Sequence, residues 1–295
     1  MGYIFIFLSV LANAAKGYCS KKISDTVTAV NDVININIIR NVACCIISAV
    51  IVLFNRRTNI FSMRPFEIVI CLISGISMTL FLLGWTFAIK TDAYMLVSAC
   101  ASASFIVPCI AGIFVLNETV TPFKMLSFAA IIAALYFLFR YNFSIKGRLT
   151  KKQIVLLALI LFSQGINQTV QKLYMVYVPQ KSAGDYTLYS FVFTTAALIA
   201  AKALICACGG RAQSEDAVKN NLGRIAVMSA GLFCASFFQT LAAARVDAII
   251  LYPITNALSL IAGSTMASLF FKEKLKKDCI IGMAFVLCAL IFSKM

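Results

Sequence analysis

Histidine is absent from the 295 residues. That removes the usual general base, proton shuttle and metal ligand of protein chemistry. Charge is scarce as well: Asp, Glu, Lys and Arg make up 13% of the chain, against about a quarter of a soluble domain. Negative charge is scarcest, with 11 acidic residues beside 26 basic ones and a net charge of +15. None of the acids lies in the middle of an apolar run, so the sequence offers no acid pair for intramembrane catalysis. The 11 cysteines contain no CxxC spacing, and Cys44, Cys45, Cys100, Cys109 and Cys288 sit inside apolar runs, as small packing residues do. The chain is read as a non-enzyme with no cofactor and no metal.

Apolar residues are what the chain has in excess. They make up 61% of it, and the mean hydropathy is +0.93. No water-soluble core hides that much apolar surface, so lipid is the solvent for most of it. This excludes a soluble enzyme, a nucleic-acid-binding domain and a secreted scaffold. The positive balance is read as loop Lys and Arg facing anionic headgroups, with the lipid bilayer rather than nucleic acid as partner.

A spanning helix needs about 20 mostly apolar residues. The runs between charged breaks predict ten, near 2–20, 33–54, 66–89, 93–116, 122–141, 153–175, 184–208, 225–244, 248–271 and 278–293. Ala12-Asn13-Ala14 looks like a signal-peptide cleavage site, but no basic segment precedes it, so the first run is read as a retained helix. Displaced by 155 residues, the sequence meets itself: Lys90 falls on Arg245, Asp92 on Asp247, Ala93 on Ala248, Leu96 on Leu251 and Glu118 on Glu273. The expected organisation is a five-helix repeat over 1–141, a basic linker over 142–152 and a second five-helix repeat over 153–295. Five is odd, so the second repeat enters the bilayer from the opposite side, the inverted arrangement of many secondary transporters. Lys and Arg are commoner in the loops after odd-numbered helices, which by the positive-inside rule places both termini outside.

Three short motifs add to this. Leu116-Asn117-Glu118-Thr119-Val120-Thr121 follows the fourth run, Phe271-Lys272-Glu273-Lys274-Leu275 follows the ninth with Gly282 beyond it, and Ile38-Ile39-Arg40-Asn41 lies in the second. With these the chain resembles the EamA type of the drug/metabolite transporter superfamily over essentially its whole length. It departs at Asn117, where the family has glycine, and at Ser127, opposite Gly282. The resemblance implies an all-α membrane fold of ten helices in two inverted five-helix repeats. It implies a multi-pass carrier in the plasma or inner membrane, a monomer or homodimer, moving a small-molecule substrate by alternating access. Members of the family often keep both termini in the cytoplasm, opposite to the charge count. The alternative within the superfamily is a multidrug exporter of cationic compounds. The small members do this with a Glu in the first helix, where this chain has Asn13 and Lys16. A channel would need a carbonyl filter or a ring of like charges, and neither is visible.

The candidate substrate-binding residues are polar groups within the apolar runs. Lys16 and Arg40 are cations inside helices 1 and 2, where a charge at the bilayer centre costs at least about 2.5–3.5 kcal/mol. They either attract an anionic group or snorkel to nearby headgroups. Gln164, Gln168 and Gln171 share one stripe of helix 6 with Asn167 beside it, for substrate or for interhelical hydrogen bonds. Tyr94, Ser98 and Ser102 recur every four residues in helix 4, with Ser104 beyond them, and Tyr252, Thr255, Asn256 and Ser259 lie at helical spacing in helix 9, with small-residue packing as the alternative. The cavity is expected to offer more cations than acids, which favours an amino-acid-like or anionic metabolite. Pro108 and Pro253 free the carbonyls of Ser104 and Ile249. Thr121, Asp92 and Asp247 read as helix N-caps, and Glu118 and Glu273 as acceptors for backbone donors or partners for Lys or Arg.

Overall fold

The structure, a computed structural model, describes residues 2–24, 30–55, 63–89, 94–146, 150–178, 181–207, 221–271 and 277–292. These form eleven helices and no strand. They are α1 (Gly2–Ser24), α2 (Val30–Asn55), α3 (Pro65–Ile89), α4 (Tyr94–Ala103), α5 (Ile106–Phe114), α6 (Pro122–Lys146), α7 (Lys151–Tyr177), α8 (Ala183–Ala207), α9 (Leu222–Ala243), α10 (Ala248–Phe271) and α11 (Lys277–Phe292). In lipid every backbone polar group must be satisfied within its own segment, and a helix does that. Six of them, α1, α2, α3, α7, α8 and α9, are long and apolar enough to cross a membrane. Large side chains such as Phe54, Phe114, Val155 and Leu204 point outward, fully or mostly exposed, as lipid-facing residues do. The fold is that of an all-α, multi-pass membrane protein.

Helix starts follow local chemistry. Thr150 and Gln153 close a capping box at α7: Thr150 Oγ1 accepts from the Gln153 N–H and Gln153 Oε1 from the Thr150 N–H at 2.9 Å. Thr121 caps α6 as expected, accepting from the Lys124 N–H. Asp247 does not cap α10 with its side chain, which instead accepts from Lys124 Nζ at 2.9 Å. The carboxylate of Glu118, arriving from another helix, takes the free donors of α10. Asn117 carries φ 51° in the turn before Glu118, a left-handed conformation that asparagine adopts more readily than most residues. Helix α6 runs to Lys146 and α7 begins at Lys151, so seven of the eleven residues of the expected 142–152 linker are helical.

The fourth run is not one helix. It breaks at Ser104–Phe105 into α4 and α5. Pro108 has no N–H for the Ser104 carbonyl, which instead accepts from Val107 N–H at 3.1 Å. Pro253 lies inside α10 without breaking it, and the Cys109 thiol approaches the freed Ile249 carbonyl at 4.0 Å. One proline makes a joint and the other is absorbed.

Packing pairs distant parts of the chain. Helix α1 lies along α9, α3 along α7 and α8, α2 along α8 and α9, and α6 along α11, while α10 meets α1, α4 and α5. Small residues allow the closest approaches. A Cβ on Gly75 would stand 2.7 Å from the Phe193 carbonyl carbon and 2.8 Å from the Thr194 nitrogen, so α3 and α8 touch backbone to backbone. A Cβ on Gly165 would stand 2.8 Å from the Ser104 carbonyl oxygen, which seats α7 in the α4–α5 break. The central apolar cluster gathers Ile6, Val10, Phe105, Cys109, Ala242, Leu251 and Tyr252 from α1, α5, α9 and α10 around that break.

Candidate functional site

The α4–α5 break brings polar groups from four directions into the apolar interior. Gln168 of α7 donates through Nε2 to Asn256 Oδ1 of α10 at 2.9 Å. Asn256 Nδ2 donates to the Ser102 carbonyl at 3.0 Å and lies 3.3 Å from Ser104 Oγ. Ser104 Oγ reaches Gln168 Oε1 at 3.4 Å, closing a triangle. One helical turn further along α7, Gln171 Nε2 donates to Thr240 Oγ1 of α9 at 2.8 Å, and the Tyr252 hydroxyl reaches Gln171 Oε1 at 3.4 Å. Gln168, Gln171, Tyr252 and Asn256 are all buried. The carbonyl that Asn256 uses belongs to Ser102 in the last turn of α4, next to the break, so the break is part of the site.

The other amides of α7 part company with this cluster. Asn167 turns to α3 and α8, where Ser74 Oγ donates to its Oδ1 at 2.8 Å and also meets Tyr186 OH at 3.0 Å and Ser190 Oγ at 2.7 Å. Gln164 Oε1 is enclosed without a hydrogen-bond partner. Tyr94 and Ser98 lie on α4, with their side chains outside the described residues.

Lys16 and Arg40 lie on α1 and α2, both of which pack against α9. Gly231 of α9 sits against α1 at Lys16: a Cβ there would stand 3.1 Å from the Ala12 carbonyl oxygen and 3.3 Å from Lys16 Cβ. Cys44 of α2 donates to the Ser229 carbonyl of α9 at 3.3 Å. Lys16 Nζ donates to Asn13 Oδ1 at 2.7 Å. Arg40 is 5% exposed, and its Nε and Nη2 have no hydrogen-bond partner. Protein encloses these two nitrogens.

A second charged group closes the end of the molecule where α5, α7 and α9 finish and α10 begins. Glu118 accepts from the Ala248 N–H at 2.7 Å and the Ile249 N–H at 3.1 Å, which suits a carboxylate at a helix N-terminus. Lys172 Nζ lies 3.7 Å from Glu118 Oε1 and donates to the carbonyls of Ala243 at 3.0 Å and Val246 at 2.7 Å. Lys172 is buried within α7. Asp92 and Glu273, which fall on Asp247 and Glu118 when the sequence is displaced by 155 residues, lie outside the described residues.

No family model and no curated protein matches the chain. The fold does have a solved counterpart. A protein crystal structure superposes with a TM-score of 0.77 over 99% of this chain and 95% of that one. The two are 9% identical, so the likeness is one of fold alone.

Reasoning from sequence missed Thr240, Ser74, Tyr186 and Ser190. Serines and threonines are common in apolar helices, where they bond the preceding turn, as Thr240 Oγ1 does to the Ser236 carbonyl at 2.8 Å. A lone hydroxyl in such a run therefore carries little signal. Two buried acids, Glu67 and Asp185, lie in the first turns of α3 and α8. Their position at helix starts made them read as boundary residues.

Proposed function

We propose that the protein is a secondary carrier of the drug/metabolite type, not an enzyme, moving a small amino-acid-like or anionic metabolite across the plasma or inner membrane by alternating access. The supporting observation is the buried hydrogen-bonded cluster of Gln168, Gln171, Tyr252, Asn256 and Thr240 around the α4–α5 break. Buried amides in an apolar protein are costly unless paired. Here they are gathered at an interrupted helix, the setting in which transporters place solute sites. The same groups that satisfy one another without solute can exchange partners with it.

The inverted-repeat reading draws support from the packing pattern. If α4 and α5 count as one span, α1 to α6 make the first five spans and α7 to α11 the second. Exchanging each span for its counterpart turns the α1–α9 pair into the α7–α3 pair, and α3–α8 into α9–α2. The α2–α8 and α6–α11 pairs map onto themselves. A pseudo-twofold between two halves of opposite orientation has that property. The seam cluster then takes Ser102 and Ser104 from one half and its amides and tyrosine from the other.

Counterflow in liposomes tests this. Vesicles holding the purified protein and loaded with unlabelled amino acids or organic acids should accumulate the matching labelled solute transiently. The Gln168→Leu, Asn256→Leu double substitution should cut that accumulation by at least tenfold. Absence of counterflow for every solute in a broad panel rejects the carrier, and uptake without counterflow indicates a channel.

A further inference from the structure

Two positive charges, Lys16 and Arg40, lie within helices that both pack against α9, and among the described residues neither has a negative partner. Lys16 is eight residues from the end of α1 and Arg40 ten from the start of α2, or about 12–15 Å from that end of the helices. In a hydrocarbon core about 30 Å thick, that is near mid-depth. Lys16 packs against Gly231 of α9, and α2 reaches the same stretch of α9 through the Cys44–Ser229 hydrogen bond. Among the described residues no carboxylate is within ion-pair distance of either. The buried acids are elsewhere: Asp32 is two turns toward the near end of α2, and Glu67 and Asp185 start helices at the opposite end. Lys16 holds only the neutral Asn13.

The unpartnered atoms of Arg40 are informative. Nε and Nη2 are the two nitrogens on one side of the guanidinium plane, and their N–H groups point in parallel. That edge matches the two oxygens of a carboxylate, the bidentate geometry for which Arg is suited and Lys is not. Both atoms are enclosed, so bulk water does not serve them. Like charges held out of water without partners destabilise the solute-free protein, and an anion beside them relieves both that cost and the unmet donors.

We propose that the Arg40 edge, assisted by Lys16, is the docking point for a single carboxylate on the transported solute. Acidic and zwitterionic metabolites with a free carboxylate are then substrates, and their amides are not. The rest of such a solute extends toward the amide and hydroxyl groups of the seam. This inference rests on the carrier reading and narrows its substrate class. It also makes the cation pair a substrate-specificity device whose cost to the unliganded protein is a consequence of its task.

The experiment pairs a panel of amino acids, monocarboxylates and dicarboxylates with their primary amides. It measures counterflow in phosphatidylcholine vesicles and thermal unfolding in detergent. Inorganic phosphate and added phosphatidylglycerol serve as separate arms. The expected result is that some acids move and raise the unfolding temperature while their amides do neither. Arg40→Gln abolishes both effects, and without solute it unfolds at the same or a higher temperature than the parent. Arg40→Lys keeps the preference for acids but weakens half-saturation at least tenfold, because charge remains and the fork is lost. Lys16→Met weakens it less. Acids and amides moving alike would overturn the inference and leave the carrier standing. Stabilisation by phosphatidylglycerol alone would assign the site to a lipid headgroup and overturn it as well. A large fall in the unfolding temperature of solute-free Arg40→Gln would make Arg40 a structural support. Movement of no acid and no amide would reject the carrier itself.

Discussion

The Lys172 ammonium lies 3.7 Å from the Glu118 carboxylate, and Glu118 already accepts the first two N–H groups of α10. One carboxylate thereby joins the end of α5 to the starts of α10 and, through Lys172, to α7. Breaking a buried pair by removing one partner costs about 3–5 kcal/mol, because the other charge stays buried. Glu118→Gln should therefore destabilise the protein by about 3 kcal/mol in detergent unfolding. Adding Lys172→Met should recover part of that loss, giving a coupling of about 0.5–3 kcal/mol in a double-mutant cycle. Strict additivity would show that the two groups act separately.

The neighbouring Lys124–Asp247 pair, 2.9 Å apart with Asp247 half-exposed, is expected to matter less. Water screens it, and Asp247→Asn should cost under about 1 kcal/mol. The loss should shrink further in high salt. A cost comparable to that of Glu118→Gln would mean that this pair is buried in the membrane-bound protein.

Glycines divide sharply by position. Gly75→Ala and Gly165→Ala each drive a methyl into backbone atoms of a neighbouring helix, Phe193 and Thr194 in one case and Ser104 in the other. Each should cost about 1–3 kcal/mol. Gly17 and Gly223 have nothing within 4 Å of a new Cβ, and both are helical. Alanine there should be neutral or should stabilise by about 0.4–1 kcal/mol. Unfolding curves of the four variants test the placement of these helices directly.

Cysteine labelling tests which surfaces meet water. In single-cysteine variants reconstituted in liposomes, Cys206, exposed near the end of α8, should react with a charged maleimide. Cys288 is also exposed but lies within α11, where lipid keeps both the reagent and the reactive thiolate away. It should resist. Buried Cys44 and Cys109 should react only after unfolding. Rapid labelling of Cys288 by the charged reagent would place that face of α11 in water.

Helix positions were legible in the sequence because charge and apolarity separate cleanly. Arg64 and Pro65 mark the start of α3, and Thr121-Pro122 that of α6, as the residue chemistry predicts. The polar seam was half legible. Gln168, Gln171 and Asn256 stand out because amides are rare in apolar runs, whereas Thr240 and Ser104 do not. Asn167 and Gln168 are adjacent in sequence, and only the packing of α3 and α10 shows that they face different neighbours. Pro108 and Pro253 looked alike in sequence. Their unlike outcomes depend on what surrounds the freed carbonyl, and that is a property of tertiary contacts. The capping of α10 by Glu118 rather than Asp247 was hidden for the same reason, since the donor and the acceptor are 130 residues apart.

The joint at Ser104–Phe105 has a mechanical corollary. Helix α10 passes Pro253 unbroken, while α4 and α5 are separate helices that part at Ser104–Phe105. Compliance is then concentrated on one side of the seam, and a rocking motion would have a fixed strut and a flexing one. In the carrier proposed above, substituting alanine for Pro108 would stiffen the flexing member and slow maximal counterflow more than it shifts half-saturation.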